Sequence, residues 1–442
     1  MLKILFISLG CDKNLVDSEE MIGMLQKEQY TFTDDENEAD IIVVNTCCFV
    51  NDAKEESIET ILQMAEHRTN GNCKALIVTG CLAQRYQKEI ITEIPEVDAV
   101  LGTSSYDAIA KAIKTALEGE RYEDYQPLDR LIVEEQDRVL TTGGYFAYLK
   151  IAEGCNKSCT YCIIPKIRGR YRSVPMEELI ASAKKLVDGG VKELILVAQE
   201  TTLYGVDLYG RKMLPELLRE LCKVSGLVWI RILYCYPEEI TDELIEVIRT
   251  ESKICKYLDM PIQHASDRIL KLMGRRTNQS ELIERIEKLR SEIPEITLRT
   301  TLISGFPTET EEEHQELYEF VDRMEFDRLG VFTYSPEENT KAAEMQGQIE
   351  EDVKNRRRNE IMELQQEIAF DKGADMVGRT ILVMIEGKLV NENAYVGRTY
   401  MDAPGVDGNI FVVTDEDLMT GDFVKVKVTG SQDYDLIGEI AD

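Results

Sequence analysis

Twice along this chain, short runs of β-branched and aliphatic residues alternate with stretches whose apolar residues fall at helical spacing. No other feature restricts the fold as much. In residues 1–118 the strand candidates are Lys3–Ser8, Ile41–Asn45, Ala75–Thr79 and Ala99–Gly102, with helical patterns over Ser18–Gln29, Ala53–Ala65, Ala83–Glu93 and Tyr106–Leu117. Such alternation implies a parallel sheet, in which all strand C-termini share one edge and ligands bind at that edge. From Tyr145 the alternation resumes with strands expected at Phe146–Ala152, Glu193–Ala198, Val228–Leu233, Tyr257–Met260, Thr297–Ile303 and Leu329–Thr333. Six strand–helix units make three-quarters of an eightfold barrel, whose chemistry sits on the loops after the strands. Residues 375–442 change character, to five short β-rich runs broken by Gly, Pro and Asp turns, the pattern of a small OB-like barrel.

The expected class is therefore α/β: a parallel α/β domain over residues 1–118, a linker over 119–143, a partial TIM-like (β/α)6 barrel over 144–372, and a small antiparallel β-barrel over 374–442. The linker has mixed charge and room for a short strand at Leu131–Val133. Glu350 to Lys372 reads as a charged helix in which Arg356, Arg357 and Arg358 form a solvated face.

Cysteines decorate this frame at informative places. The stretch GCNKSCTYCIIPKIRGR, Gly154–Arg170, follows the first core strand and spaces Cys155, Cys159 and Cys162 as C-x3-C-x2-C. Soft thiolates select iron–sulfur clusters, copper or zinc. A closed structural zinc site needs four protein ligands, and no fourth Cys or His lies nearby in sequence. Three thiolates on a cubane instead leave one iron free for a substrate or cofactor. The bland alternatives are a zinc knuckle completed by a distant residue, or three buried cysteines. In the first domain Cys11, Cys47 and Cys81 each fall just past a strand end, so three cysteines far apart in sequence converge on one rim. Cys48 is adjacent and competes with Cys47 for that place. Cys73 precedes its strand, while Cys222, Cys235 and Cys255 show no ligand spacing and are expected to pack as small hydrophobes.

Charge narrows the partners. The 442 residues carry 82 acidic against 51 basic side chains, a net of −31. A protein that grips phosphates shows the opposite sign. The terminal barrel alone has thirteen acidic and five basic residues, a net of −8. That surface suits a basic protein, since complementary charge governs specificity and association rate. The eleven cysteines, an odd number, argue against a disulfide framework. No apolar run approaches the roughly 18 residues of a membrane span, and the apolar opening Leu2–Leu9 lacks the flanks of a signal peptide. Metal ligation in a reducing cytoplasm is the expectation.

With Tyr161 as its aromatic position, the motif C-x3-C-x-(aromatic)-C resembles the signature of the radical S-adenosylmethionine superfamily. Leu9-Gly10-Cys11, Asn45-Thr46-Cys47 and Thr79-Gly80-Cys81 resemble the amino-terminal domain of the methylthiotransferase family, and the terminal barrel resembles its TRAM domain. Tyr236-Pro237, Gln263-His264-Ala265-Ser266 and Ile163-Ile164-Pro165 look like the RimO branch, which modifies an aspartate of the twelfth small-subunit ribosomal protein; the acidic barrel agrees independently. The resemblance implies two [4Fe–4S] clusters, one on Cys11, Cys47 and Cys81, the other on Cys155, Cys159 and Cys162. It implies S-adenosylmethionine on the open iron of the second cluster and a methylated sulfur on that of the first. Reductive cleavage of the sulfonium would yield a 5′-deoxyadenosyl radical, needed because an unactivated C–H bond offers no acidic proton to a general base. Tyr161 near the adenine, Gln199 at the methionyl end, and Gly305, Phe306 and Pro307 beside the adenosine are the implied cofactor contacts. His264 is a further pocket residue. The implied partners are a basic ribosomal protein met through the acidic barrel and an electron donor such as flavodoxin or ferredoxin. A tRNA adenosine methylthiotransferase of the MiaB type is predicted by the same cysteines but disfavoured by the charge. A non-catalytic iron–sulfur redox sensor would cleave no S-adenosylmethionine.

Overall fold

A computed structural model describes residues 2–130, 132, 138–390 and 392–441. The first domain is a six-stranded parallel sheet of β1 (Lys3–Ser8), β2 (Thr31–Phe32), β3 (Ile41–Thr46), β4 (Ala75–Gly80), β5 (Ala99–Leu101) and β6 (Tyr122–Asp124), in the order β2-β1-β3-β4-β5-β6. Helices α1 (Asp12–Lys27) and α5 (Ile109–Leu117) cover one face; α2 (Asn51–Asn70), α3 (Cys81–Tyr86) and α4 (Lys88–Glu93) cover the other. With both faces covered, β3 and β4 are buried at every position, which is why they read as continuous apolar runs. Two short strands differ from expectation: β2 lies at the edge, and β6, within the stretch taken as linker, pairs with β5. Helix α1 starts six residues before Ser18. Its first turns bury Asn14, Asp17 and Ser18 in polar pairings, which hide the apolar period. The strand expected at Leu131–Val133 has both ends outside the described residues.

The second domain runs β7 (Phe146–Lys150), β8 (Ala152–Glu153), α6 (Ile164–Ile167), β9 (Arg172–Ser173), α7 (Met176–Asp188), β10 (Glu193–Val197), α8 (Val206–Tyr209), α9 (Leu214–Cys222), β11 (Trp229–Ile232), α10 (Asp242–Thr250), β12 (Ile254–Asp259), α11 (Asp267–Leu272), α12 (Gln279–Glu292), β13 (Thr297–Ser304), α13 (Glu311–Met324) and β14 (Arg328–Thr333). Its sheet keeps sequence order, β7-β10-β11-β12-β13-β14, and every pairing is parallel. Alternate residues divide its faces. Leu194, Leu196, Ile230 and Ile232 pack with Leu179, Leu217, Leu244, Leu282 and Leu317 of the surrounding helices. Ile195, Val197, Trp229, Leu233 and Tyr257 face the other way.

Helix α14 (Glu351–Asp375) leads to a closed barrel of β15 (Thr380–Lys388), β16 (Ala394–Thr399), β17 (Ile410–Val413), β18 (Phe423–Gln432) and β19 (Asp435–Ile440). Four of its pairings are antiparallel, whereas β17 and β19 run parallel, because β19 forms its hairpin with the intervening β18. This barrel covers the inner face of the core sheet: Met384, Ala403 and Phe423 join Trp229 and Ile195 in one cluster, with the Trp229 and Phe423 rings edge-on at 4.7 Å. Beneath them Glu193 accepts from Arg231 Nε at 2.9 Å and Arg398 Nη2 at 2.5 Å, all three fully buried. Arg357, expected on a solvated face, is buried on α14 against Glu309, while Arg356 and Arg358 of that run make exposed contacts.

Candidate active site

Cys11, Cys47 and Cys81 follow β1, β3 and β4, three neighbouring strands, and therefore share one edge of the sheet. Gly10 (φ +87°) lets two of these loops touch: a Cβ there would lie 2.6 Å from the Cys47 Cβ and 2.8 Å from its Sγ. Cys47 is held by Ser57, whose Oγ accepts the Cys47 N–H at 3.0 Å and whose hydroxyl donates to the Cys47 carbonyl at 2.8 Å. Cys48 packs in the apolar cluster of Ile61, Leu82 and Ile91, which also holds Cys81, and burial pushes its thiol up to about 12.

The second set sits between β8 and α6. Gly154 (φ +80°) begins the loop against the Arg170 carbonyl, with that of Gly169 2.7 Å from where a Cβ would be, so only glycine passes. Cys155 N–H donates to Gly169 O at 3.1 Å, Thr160 N–H to Met273 O at 2.9 Å, and Cys162 N–H to Cys159 O at 3.1 Å. Burial pushes Cys155 up to about 11 and raises Cys162, and charge on Cys159 is felt at both, so the three thiols form one electrostatic unit. Cys159 Sγ lies 3.8 Å from the Tyr236 hydroxyl. Over the Tyr236 ring stand Arg275 at 4.2 Å and Lys157 at 4.9 Å, two cations beside the thiols.

Arg168, six residues past Cys162, joins the two sets. Its Nη1 donates to Asp17 at 2.7 Å and Glu153 at 3.2 Å, and its Nη2 donates to Asn14 Oδ1 at 2.9 Å. Burial opposes its charge, but Cys81, Glu153, Asp17 and Cys11 around it keep it firmly protonated. Ile163, next to Cys162, shares an apolar cluster with Cys81. A second bridge is the segment 234–236. Tyr234 OH donates to Asp12 Oδ1 at 2.9 Å, Lys13 Nζ stands 3.3 Å above the Tyr234 ring, and Tyr236 reaches Cys159. Neither Arg168 nor Lys13 stands out in the sequence, because Asp17 and Asn14 lie 151 and 154 positions from Arg168, and Tyr234 is as remote from Lys13.

The remaining expected contacts divide. Tyr161 packs with the buried Phe306 in one apolar cluster, so that pair is brought together. The turn at Gly305 (φ +73°), Phe306 and Pro307 is organised by Glu309, whose Oε2 accepts from the Gly305 and Phe306 N–H groups at 2.9 and 3.1 Å. Gln199 serves the cysteine loop: its Oε1 accepts the Gly154 N–H at 2.8 Å and its amide donates to Glu153 at 2.6 Å. His264 is fully buried; its Nδ1 accepts the Ser266 N–H at 2.9 Å, so Nε2 carries the proton toward Glu309, 3.6 Å away, a supporting role. Next to Gln199, Glu200 is buried with Oε2 unpartnered among the described residues, and burial pushes it up to about 8.

Among the described residues no three of His, Cys, Asp and Glu stand close enough to hold one metal ion. The donor sets suit a larger group, because a cubane gives each thiolate a different iron. Metal coordination would deprotonate these thiols outright. Three soft thiolates at each place are of the donor type that would suit an iron–sulfur cluster.

Comparison with known proteins defines the class. Residues 149–321 match the radical SAM superfamily, residues 377–441 the TRAM domain, and residues 3–102 the uncharacterized protein family UPF0004. A solved radical S-adenosylmethionine methyltransferase, TsrM from Kitasatospora setae with cobalamin and a [4Fe-4S] cluster bound, shares the fold with a TM-score of 0.55 at 13% identity, over 77% of each chain. The chain is thus a radical S-adenosylmethionine enzyme. The ribosomal protein uS12 methylthiotransferase RimO of Lachnoclostridium phytofermentans is 65% identical over 437 residues, 99% of both chains. The protein of the same name from Acetivibrio thermocellus is 52% identical over 445 residues, 99% of this chain and 98% of that one. This chain belongs to the RimO methylthiotransferase family.

Proposed function

We propose that this enzyme adds a methylthio group to the β-carbon of an aspartate in ribosomal protein uS12, in the cytoplasm, with [4Fe–4S] clusters on Cys11, Cys47, Cys81 and on Cys155, Cys159, Cys162. A sulfur donor and an electron donor such as flavodoxin or ferredoxin complete the system. The observation that carries this reading is the joining of two three-cysteine sets across one domain seam. When bound, the clusters supply an electron for S-adenosylmethionine cleavage and an open iron for sulfur.

The chain's own residues position and enclose. Arg168 ties Asn14 and Asp17, on the helix after Cys11, to Glu153, and Glu153 is tied through Gln199 to Gly154, which links the first domain to the second cysteine loop. Arg275 and Lys157 flank the second set with positive charge that favours the ionised form of its three thiols. Phe306 and Tyr161 form an apolar wall where an adenosine would lie. The barrel's acids divide by direction. Asp402 and Asp407 pair inward with Arg328 and Arg299, whereas Asp415, Glu416 and Asp417 are exposed to a basic partner.

The reduced, cluster-loaded enzyme is incubated with S-adenosylmethionine, sulfide and either uS12 or tRNA, and products are read by mass. An added methylthio group on uS12 is expected; a product on tRNA alone overturns the reading.

A further inference from the structure

We infer that Asp12 and Lys13 form the subsite that holds the target aspartyl residue, Lys13 binding its carboxylate; the inference rests on the proposed protein substrate. The target carbon must be reachable from both cysteine sets, and the segment 234–236 is where they approach: Tyr234 touches the residues after Cys11, and Tyr236 touches Cys159. Tyr234 is held there with φ +59°, a left-handed backbone that a residue with a side chain adopts only when its surroundings require it, and such residues gather at functional sites.

At this seam Lys13 Nζ lies 3.1 Å from Asp12 Oδ1 and 3.3 Å from the Tyr234 ring centre, with both charged side chains only 8% exposed. An ammonium has three donors. Asp12 takes one, the ring face takes another, and the third remains for an incoming anion. Asp12 is the complement: Oδ1 accepts from Lys13 and Tyr234, while Oδ2 is buried with no donor among the described residues. A buried carboxylate oxygen without a donor is costly and marks a place for a ligand. An aspartyl residue supplies both missing halves, a carboxylate for Lys13 and a backbone N–H for Asp12 Oδ2. An unmodified nucleobase carries no carboxylate for Lys13.

The test uses the cluster-loaded enzyme without reductant, so that binding is read without turnover. The probes are purified uS12 and a uS12 variant with asparagine in place of the target aspartate. The wild-type enzyme is expected to bind the aspartate form at least about tenfold more tightly, the scale of a buried charge pair. Lys13→Met should bind both forms alike with its iron content unchanged, and Lys13→Arg should keep most of the preference. Asp12→Asn should weaken both forms together. Retention of the preference in Lys13→Met overturns the subsite, and loss of iron in that variant assigns Lys13 to cluster support and overturns it too. Failure of the wild-type enzyme to bind uS12 at all removes the substrate reading first, and is seen before any variant is made.

Discussion

Arg168 carries a buried ionic network at the seam. It is buried, donates to two carboxylates and an amide, and belongs to the core while its partners Asp17 and Asn14 belong to the first domain. Removing one member of such a network leaves uncompensated buried charge. Arg168→Ala is therefore expected to cost about 3–5 kcal/mol, read as a lower denaturant midpoint, and Arg168→Lys less, since one ammonium reaches fewer partners. Glu200 makes a prediction about pH. Its folded value of about 8 lies above its ordinary 4.5, so the folded state binds the proton more tightly than the unfolded chain. Stability from this residue is present below pH 4.5 and is lost as pH rises toward 8. Glu200→Gln should flatten that fall, and thermal midpoints of the two proteins across the range check it.

At the scale of elements, turns matter as much as strands. Gly154 admits no side chain at the start of the cysteine loop. Gly154→Ala should displace that loop and cost about half of the bound iron, while the first set keeps its share. Helix α13 offers a calibration: Thr310 and Glu313 make a complete capping box, so Thr310→Ala should destabilise by about 1 kcal/mol. The strands of core and barrel were legible because buried parallel strands read as apolar runs and barrel strands as short runs between turns. Cys11, Cys47 and Cys81 were legible as a set because a parallel sheet gathers its strand ends. The edge strands Thr31–Phe32 and Tyr122–Asp124 were not, being too short for any period to show. Nor was the start of α1, whose buried face is polar, nor the roles of Arg168, Lys13 and Arg357, which depend on partners that only the tertiary fold brings near.

Across the whole molecule, the three domains share surfaces. The terminal barrel covers Ile195, Val197, Trp229 and Leu233, and Glu193 is paired with Arg398 across the boundary. Deleting residues 377–442 should therefore leave an apolar core face open and yield aggregating protein by light scattering, well beyond any loss of substrate docking. The first domain closes the opposite end through Arg168, Tyr234 and the Arg85–Glu337 pair, at 2.6 Å. We propose that each of the two three-cysteine sets at this seam carries its own cluster. Iron and sulfide content of the intact chain tests it most directly. About eight irons per chain are predicted, falling by about four in Cys155→Ala and by about four in Cys47→Ala, with Cys48→Ala unchanged. Full iron in Cys47→Ala, or a loss in Cys48→Ala instead, would contradict it.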